Sequence, residues 1–226
     1  MEKLVYLVFQ ERELPGSELR TALIEKAAPA LRAGGARDIT VNVDDEAVAD
    51  GNPIRRSDPP IRAMVSFWMQ NSDDRGPCEQ ALAAHASRLA GYLVVESRPL
   101  VHHPPVGARA PGMNQVTCIA RKPDLDLDEF IRIWHSDHKT VAIETQSTVG
   151  YVRNVVVRKL TPDAPDWDGI VEETFPIEAL ANPHVFYDAK SPEEFERNLE
   201  RMLESCRRFL DFGPLECTPM SEYYLG

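Results

Sequence analysis

The sequence predicts an α+β fold built from two halves that follow one βαββαβ plan. Three observations carry this expectation. A proline- and glycine-rich break, Pro104 to Gly112, divides the 226 residues close to their middle. The same order of strand-like and helix-like segments runs on either side of it. The first strand, Leu4-Val5-Tyr6-Leu7-Val8-Phe9, is apolar on both faces, so both sides of its sheet must be covered.

In the first half, Pro15 precedes a helix with apolar residues at Leu19, Ala22, Leu23, Ala27, Ala30 and Leu31. A strand is expected from Asp38 to Val43, then an acidic, proline-containing loop, and a third strand from Ile61 to Met69. A helix from about Gly76 to Leu89 and a strand from Tyr92 to Glu96 complete it. In the second half, Val116 to Ala120 is the first strand, and Asp126 or Asp128 caps a helix carrying Phe130, Ile133, Trp134, His138 and Val141. Strands follow at Tyr151–Val157 and Gly169–Phe175. Ser191, Pro192 and Glu194 form an N-terminal helix signature, with Ser as the cap, Pro at the first helical position and Glu at the third. That helix is expected to reach about Phe209, with a closing strand from Leu215 to Tyr224. The division expected is a ferredoxin-like half over 1–103, a linker over 104–112 and a second half over 113–226. The two bare sheet faces then pack on each other as a pseudo-dimer within one chain.

Composition narrows the function classes. Thirty-six acidic against 25 basic residues give a net charge of −11, which repels phosphate backbones and excludes a nucleic-acid partner. No stretch is apolar enough to span a membrane, and the short apolar run at the start lacks a signal-peptide core, so a cytoplasmic location is expected. Cys78, Cys118, Cys206 and Cys217 form no C-x-x-C pair and are expected as reduced thiols, a Cys206–Cys217 bridge being the disfavoured alternative.

Phe130, Ile133, Trp134, Asp137, His138 and Val141 share one helical stripe, which turns His138 inward, one turn below Trp134. Such a histidine is either a core residue satisfied by a neighbouring polar group or a proton-transfer group. Glu172 and Glu173 are strand neighbours and face opposite sides. If both faces are buried, an inward carboxylate must find a partner or hold its proton with a raised pKa, and an imidazole on the covering helix would serve. The alternative is an edge strand with both carboxylates in water. Asn182–Tyr187, with His184, is too apolar for a plain connector and reads as a pocket wall or as ordinary loop packing. His102 and His103, at the linker, are expected in solvent. His135 and His138 stand at chelating spacing but on different faces, and no H-E-x-x-H, Walker loop, G-x-G-x-x-G or G-x-S-x-G motif occurs, so neither metal nor large cofactor is expected.

The second half, from about Asn114 to Tyr224, resembles the EthD family of dimeric α+β-barrel proteins. Glu129-Phe130, Trp134 and His138 are similar to its E-F-x-x-x-W-x-x-x-H helix, Gly150 to Asn154 to the strand that follows, Asp168-Gly169-Ile170-Val171-Glu172 to its D-G-x-x-E strand, and Arg208 to Asp211 to the end of its last helix. Two departures, Glu173 and Thr174 where an aromatic is common, imply a more polar pocket. The first half resembles a degenerate copy, with Leu23 opposite Trp134 and Ala27 opposite His138. The resemblance implies an intrachain α+β barrel and one competent site. It implies a cofactor-independent enzyme of lyase, cyclase, decarboxylase, dehydratase or monooxygenase type, acting on a small aromatic or polyketide-like molecule. His138 would transfer the proton, Glu172 would orient it, and Trp134, Tyr151, Phe130 and His184 would bind substrate. The alternative is a non-catalytic binding or accessory protein of a degradative pathway. A homodimer is compatible with either.

Overall fold

In the computed structural model, which describes residues 1–226, eight antiparallel strands close into one barrel in the order β1-β3-β2-β8-β5-β7-β6-β4. The first half contributes β1 (Glu2–Phe9), β2 (Arg37–Val43), β3 (Ile61–Met69) and β4 (Arg88–Leu100), and the second half β5 (Met113–Arg121), β6 (Gly150–Lys159), β7 (Gly169–Phe175) and β8 (Leu210–Tyr224). Within each half the order is fourth, first, third, second strand, the ferredoxin-like arrangement. The halves join through β2·β8 and β4·β6, so no strand edge is left open. The expected sheet-to-sheet packing is therefore realised as a closed barrel, hydrogen-bonded along both seams.

Helices cover the outside. Beside the first sheet, α1 (Gly16–Thr21) passes through a π-helical segment (Ala22–Ala27) into α2 (Ala28–Ala33), with α3 (Gly76–Ala83) alongside. Beside the second, α4 (Leu127–Arg132) passes through a π segment (Ile133–His138) into α5 (Lys139–Thr145), with α6 (Pro183–Phe186) and α7 (Pro192–Arg207) next to it. The two π segments fall at equivalent positions when Leu23 is set opposite Trp134 and Ala27 opposite His138. Asp126, not Asp128, caps α4, accepting from the Glu129 amide at 2.8 Å, and Ser191 caps α7.

Several boundaries differ from the sequence reading, and β4 runs four residues beyond Tyr92–Glu96 at each end. α3 stops at Ala83 because the following turn is pinned to the barrel rim: Ser87 donates its amide to Phe9, and Gln10 bonds the His85 carbonyl. β8 starts at Leu210, since Ala120 and Arg121 pair with Asp211 and Leu210 before a bulge. Residues between β4 and β5 are tied down as well, with Gly107 and Ala110 donating to the carbonyls of Tyr224 and Glu222.

Three apolar layers result. Leu4, Tyr6 and Val8 face the first-half helices, while Val5, Leu7 and Phe9 face the barrel interior with Met64, Ile170 and Met220. Phe130, Trp134, Tyr151, Val171 and Phe209 fill the space under the second-half helices. All four cysteines are free thiols.

Candidate functional site

Strand alternation decides what the barrel contains. Inward positions on β1 run Lys3, Val5, Leu7, Phe9; on β5 Asn114, Val116, Cys118; on β7 Ile170, Glu172, Thr174. The interior is thus apolar at one end and polar at the other. At the polar end lies a cavity of about 420 Å3, within the range of small-molecule sites. Only three of its 17 lining residues are hydrophobic.

A buried polar network forms its floor. The Lys3 ammonium donates to Glu96 Oε2 at 2.5 Å and Asn154 Oδ1 at 2.9 Å, and lies 3.4 Å from Glu172 Oε1. Asn154 Nδ2 donates to Glu172 Oε1 at 2.9 Å, Asn42 Nδ2 reaches Glu172 Oε2 at 3.4 Å, and Asn114 Nδ2 donates to Asn42 Oδ1 at 2.9 Å. Burial raises the Glu96 carboxyl, but the Lys3 ammonium and the Arg98 guanidinium outweigh it and hold it below the usual range. Glu172 was one of two carboxylates that had to find a partner or keep a proton. It has found Lys3.

Across the cavity, His102 Nε2 lies 3.3 Å from Glu222 Oε2, but the two are not aligned for a hydrogen bond. Both atoms are buried and without a protein partner, as is Asn114 Oδ1. His102, expected in solvent, is half-buried: the missing side chain of Gly150 leaves it room, since a Cβ there would stand 2.6 Å from His102 Cβ. Trp68 and Tyr224 supply aromatic surface, and the Tyr224 hydroxyl donates to Asp38 at 3.0 Å.

The residues singled out from the sequence go to two places. Glu172 lines the barrel cavity. His138, Trp134, Tyr151 and Phe130 lie on the other face of the second sheet, among the helices. His138 and Glu172 are therefore not paired, because residues 170, 172 and 174 of β7 point into the barrel and its odd-numbered residues toward the helices. The partner of His138 is Ser205 Oγ, 3.0 Å from Nδ1, and its ring packs on Phe209 at 4.8 Å. Burial, helped by the Arg153 guanidinium, lowers the imidazole to about 4, so it is neutral at pH 7. Trp134 Nε1 donates to the Tyr151 hydroxyl at 3.1 Å, and both rings are fully buried, as is Phe130, so these three are core rather than cavity wall. His184 stacks on Phe195 at 4.9 Å and Phe186 on Phe175 at 4.5 Å, so the Asn182–Tyr187 segment, expected as a loop, forms α6 and packs on the helical layer away from the cavity. The other carboxylate, Glu173, points to the helix side, where burial raises it to about 7 with no imidazole beside it.

Lys3, Glu96 and Glu222 were not singled out from the sequence, and His102 was noted only as a solvated residue of the linker. Each is a charged or titratable residue at or just beyond the end of an apolar strand, and that was the available signal. No group of three or more His, Cys, Asp or Glu side chains converges as metal ligands would. No helix is long and apolar enough to cross a membrane.

Similarity to known proteins follows the second half and the barrel. No curated protein matches the sequence. A structure of an anthrone oxidase-like protein aligns over 100% of this chain and 93% of its own, with a TM-score of 0.60 and 11% identity. A monooxygenase candidate from Lactobacillus acidophilus NCFM aligns over 100% and 96%, with a TM-score of 0.52 and 11% identity. At that identity the likeness is one of fold. Residues 122–213, which include Phe130, Trp134, His138, Gly169 and Glu172, match the EthD domain. The match covers 92 of the 226 residues and is confined to the second half.

Proposed function

We propose that this protein is a cofactor-independent enzyme, of the lyase or cyclase kind, that takes a small hydroxylated aromatic or polyketide-like molecule into the polar end of the barrel and moves a proton on it. The observation that carries the reading is the His102–Glu222 pair, facing a cavity with neither atom engaged. An imidazole set against a carboxylate is a standard general base, and loose geometry in the absence of substrate is common. Trp68 and Tyr224 would hold a flat ring, and the Lys3–Glu172–Asn154 network would fix the floor. His138 then acts as a core residue that secures the π segment after α4 to α7 through Ser205. The first half, on this reading, is a degenerate tandem copy that supplies Lys3, Glu96 and His102 to one shared cytoplasmic site.

One observation favours a binding-only protein instead: Lys3, Glu96, Glu172 and Asn154 satisfy one another, as in a rigid receptor. Anthrone in deuterated buffer, followed by proton NMR, separates the two. Faster deuterium entry at the anthrone methylene with the wild type, lost in His102→Gln, supports the enzyme. Saturable binding with no exchange supports the accessory protein.

A further inference from the structure

The two halves of the barrel match in register around the cavity. Asn42 stands opposite Glu222 across β2·β8, and Asn154 opposite Glu96 across β4·β6. Lys3 pairs with Val94, two residues before Glu96, and Asn114 pairs with Met220, two residues before Glu222. A pseudo-twofold axis therefore relates Glu96 to Glu222, Asn154 to Asn42 and Lys3 to Asn114. The hydrogen bonds obey it: Lys3 Nζ donates to Asn154 Oδ1 and Asn114 Nδ2 donates to Asn42 Oδ1, each at 2.9 Å.

The symmetry breaks in charge. On one side the Lys3 ammonium neutralises Glu96. On the other an uncharged, shorter Asn114 stands in its place, and Glu222 Oε2 makes no hydrogen bond, with only the unaligned His102 Nε2 at 3.3 Å. Asn114 Oδ1 is equally unpartnered, in a residue 2% exposed that lines the cavity. Asp38, Glu96, Glu172 and Glu222 face only two permanent cations, Lys3 and Arg98. Buried acceptors without donors are costly, and a carboxylate without a counter-charge more so.

We propose that the cavity prefers, among the small aromatic molecules it admits, one carrying a protonated amine, its ammonium lying between Glu222 Oε2 and Asn114 Oδ1 as the symmetry counterpart of the Lys3 ammonium. The inference rests on the cavity being the working site. It adds the charge of the ligand: the ammonium donates to the two free acceptors, the ring lies along Trp68 and Tyr224, and an anionic ligand is repelled.

Three probes of one shape test it by calorimetry: tyramine (cationic), tyrosol (neutral) and 4-hydroxyphenylacetate (anionic). Tyramine is expected to bind saturably, and tyrosol and the acid about tenfold more weakly or worse, the usual effect of losing a charged hydrogen bond. Glu222→Gln should weaken tyramine by a similar factor, and Glu13→Gln, exposed beyond the opposite end of β1 from Lys3, should not. Asn114→Lys places a tethered ammonium at the site: it should abolish tyramine binding while raising the melting temperature, so a folding defect in Glu222→Gln cannot obscure the result. Should the acid or tyrosol bind as well as tyramine, and Val152→Trp at the cavity wall block it, the amine is wrong and the site stands. Tyramine binding that ignores both Glu222→Gln and Val152→Trp lies elsewhere and overturns site and ligand together. No binding by any probe overturns the amine.

Discussion

The ring of Trp134 occupies the space above Gly169: a Cβ on that glycine would stand 2.6 Å from Trp134 Cη2 and 3.1 Å from Ile119 Cγ1. The helix motif and the D-G-x-x-E strand are thus two sides of one packing contact, locked further by the Trp134–Tyr151 hydrogen bond. Gly169→Ala should destabilise the protein by about 1–3 kcal/mol, the usual penalty for overpacking. Trp134→Phe should cost less in the Gly169→Ala background than in the wild type. Urea denaturation of the four proteins in the cycle measures the coupling, and strict additivity would mean that the two residues do not compete for space.

His138 is a stability switch by this geometry. Its folded-state value of about 4 lies below the ordinary 6.5. Between those limits the unfolded chain takes up a proton that the native state refuses. The contribution is complete above about pH 6.5 and lost as pH falls toward 4. His138→Gln should cost about 1–2 kcal/mol near pH 7.5. The gap to wild type should narrow at about pH 5, because the variant has no imidazole to charge. Denaturation curves at the two pH values decide it. A constant gap would mean that His138 does not titrate across this window.

Glu173 acts in the opposite direction. Its carboxyl is raised to about 7, so the stability it leaves intact is fully present below about pH 4.5 and is lost as pH rises through 7. Glu173→Gln should therefore stabilise the protein by about 1–2 kcal/mol near pH 8 and change little near pH 4.5. Thermal melts at both pH values check the sign. Equal effects at the two would show that the carboxylate is already solvated.

Lys3 links both halves, so its loss should be felt throughout. Lys3→Met leaves Glu96 and Glu172 buried without their cation and should cost about 3–5 kcal/mol, as when one member of a buried ion group is removed. Adding Glu96→Gln and Glu172→Gln should recover most of that loss, since neutral amides need no counter-charge. A triple variant no more stable than Lys3→Met would mean that the hydrogen bond of Lys3 to Asn154, not its neutralisation of the two carboxylates, matters.

The fold was largely legible because it rests on local signals: the unbroken apolar run of β1, the Ser191 cap, and the break at Pro104–Gly112. The site was legible only in part. Glu172 was found because two adjacent carboxylates on a doubly buried strand must part company, and one of them proved to face the cavity. Its partner could not be found, because Lys3 is 169 residues away and reaches it only through barrel closure. Likewise Glu222 and His102 meet through seams that join strands of opposite halves. The helix motif drew attention to His138, whose inward direction was right. What the sequence could not say is that the inward side of that helix is a filled layer, separated by a sheet from the cavity.

The closed barrel predicts what happens when the halves are separated. Residues 1–108 alone would expose Val5, Leu7 and Phe9 and leave β2 and β4 with open edges; residues 113–226 would do the same with Ile170, Met220, β6 and β8. Neither is expected to melt cooperatively as a soluble monomer. Self-pairing of the second half, β6 against a second copy's β8, would restore the edges but duplicate Glu172 and Glu222 at the axis with no Lys3 to meet them. Like charges buried together disfavour that dimer, so Lys3 specifies pairing of unlike halves. Residues 113–226 should therefore give a cooperative transition only when 1–108 is supplied in trans. The Glu172→Gln and Glu222→Gln double variant of 113–226 should self-pair more readily than its parent. Sedimentation and circular dichroism of the separate and mixed halves test both statements. A sharp monomeric melt of either half would refute the closed barrel as a folding requirement, and a stable dimer of unmodified 113–226 would refute the role of Lys3.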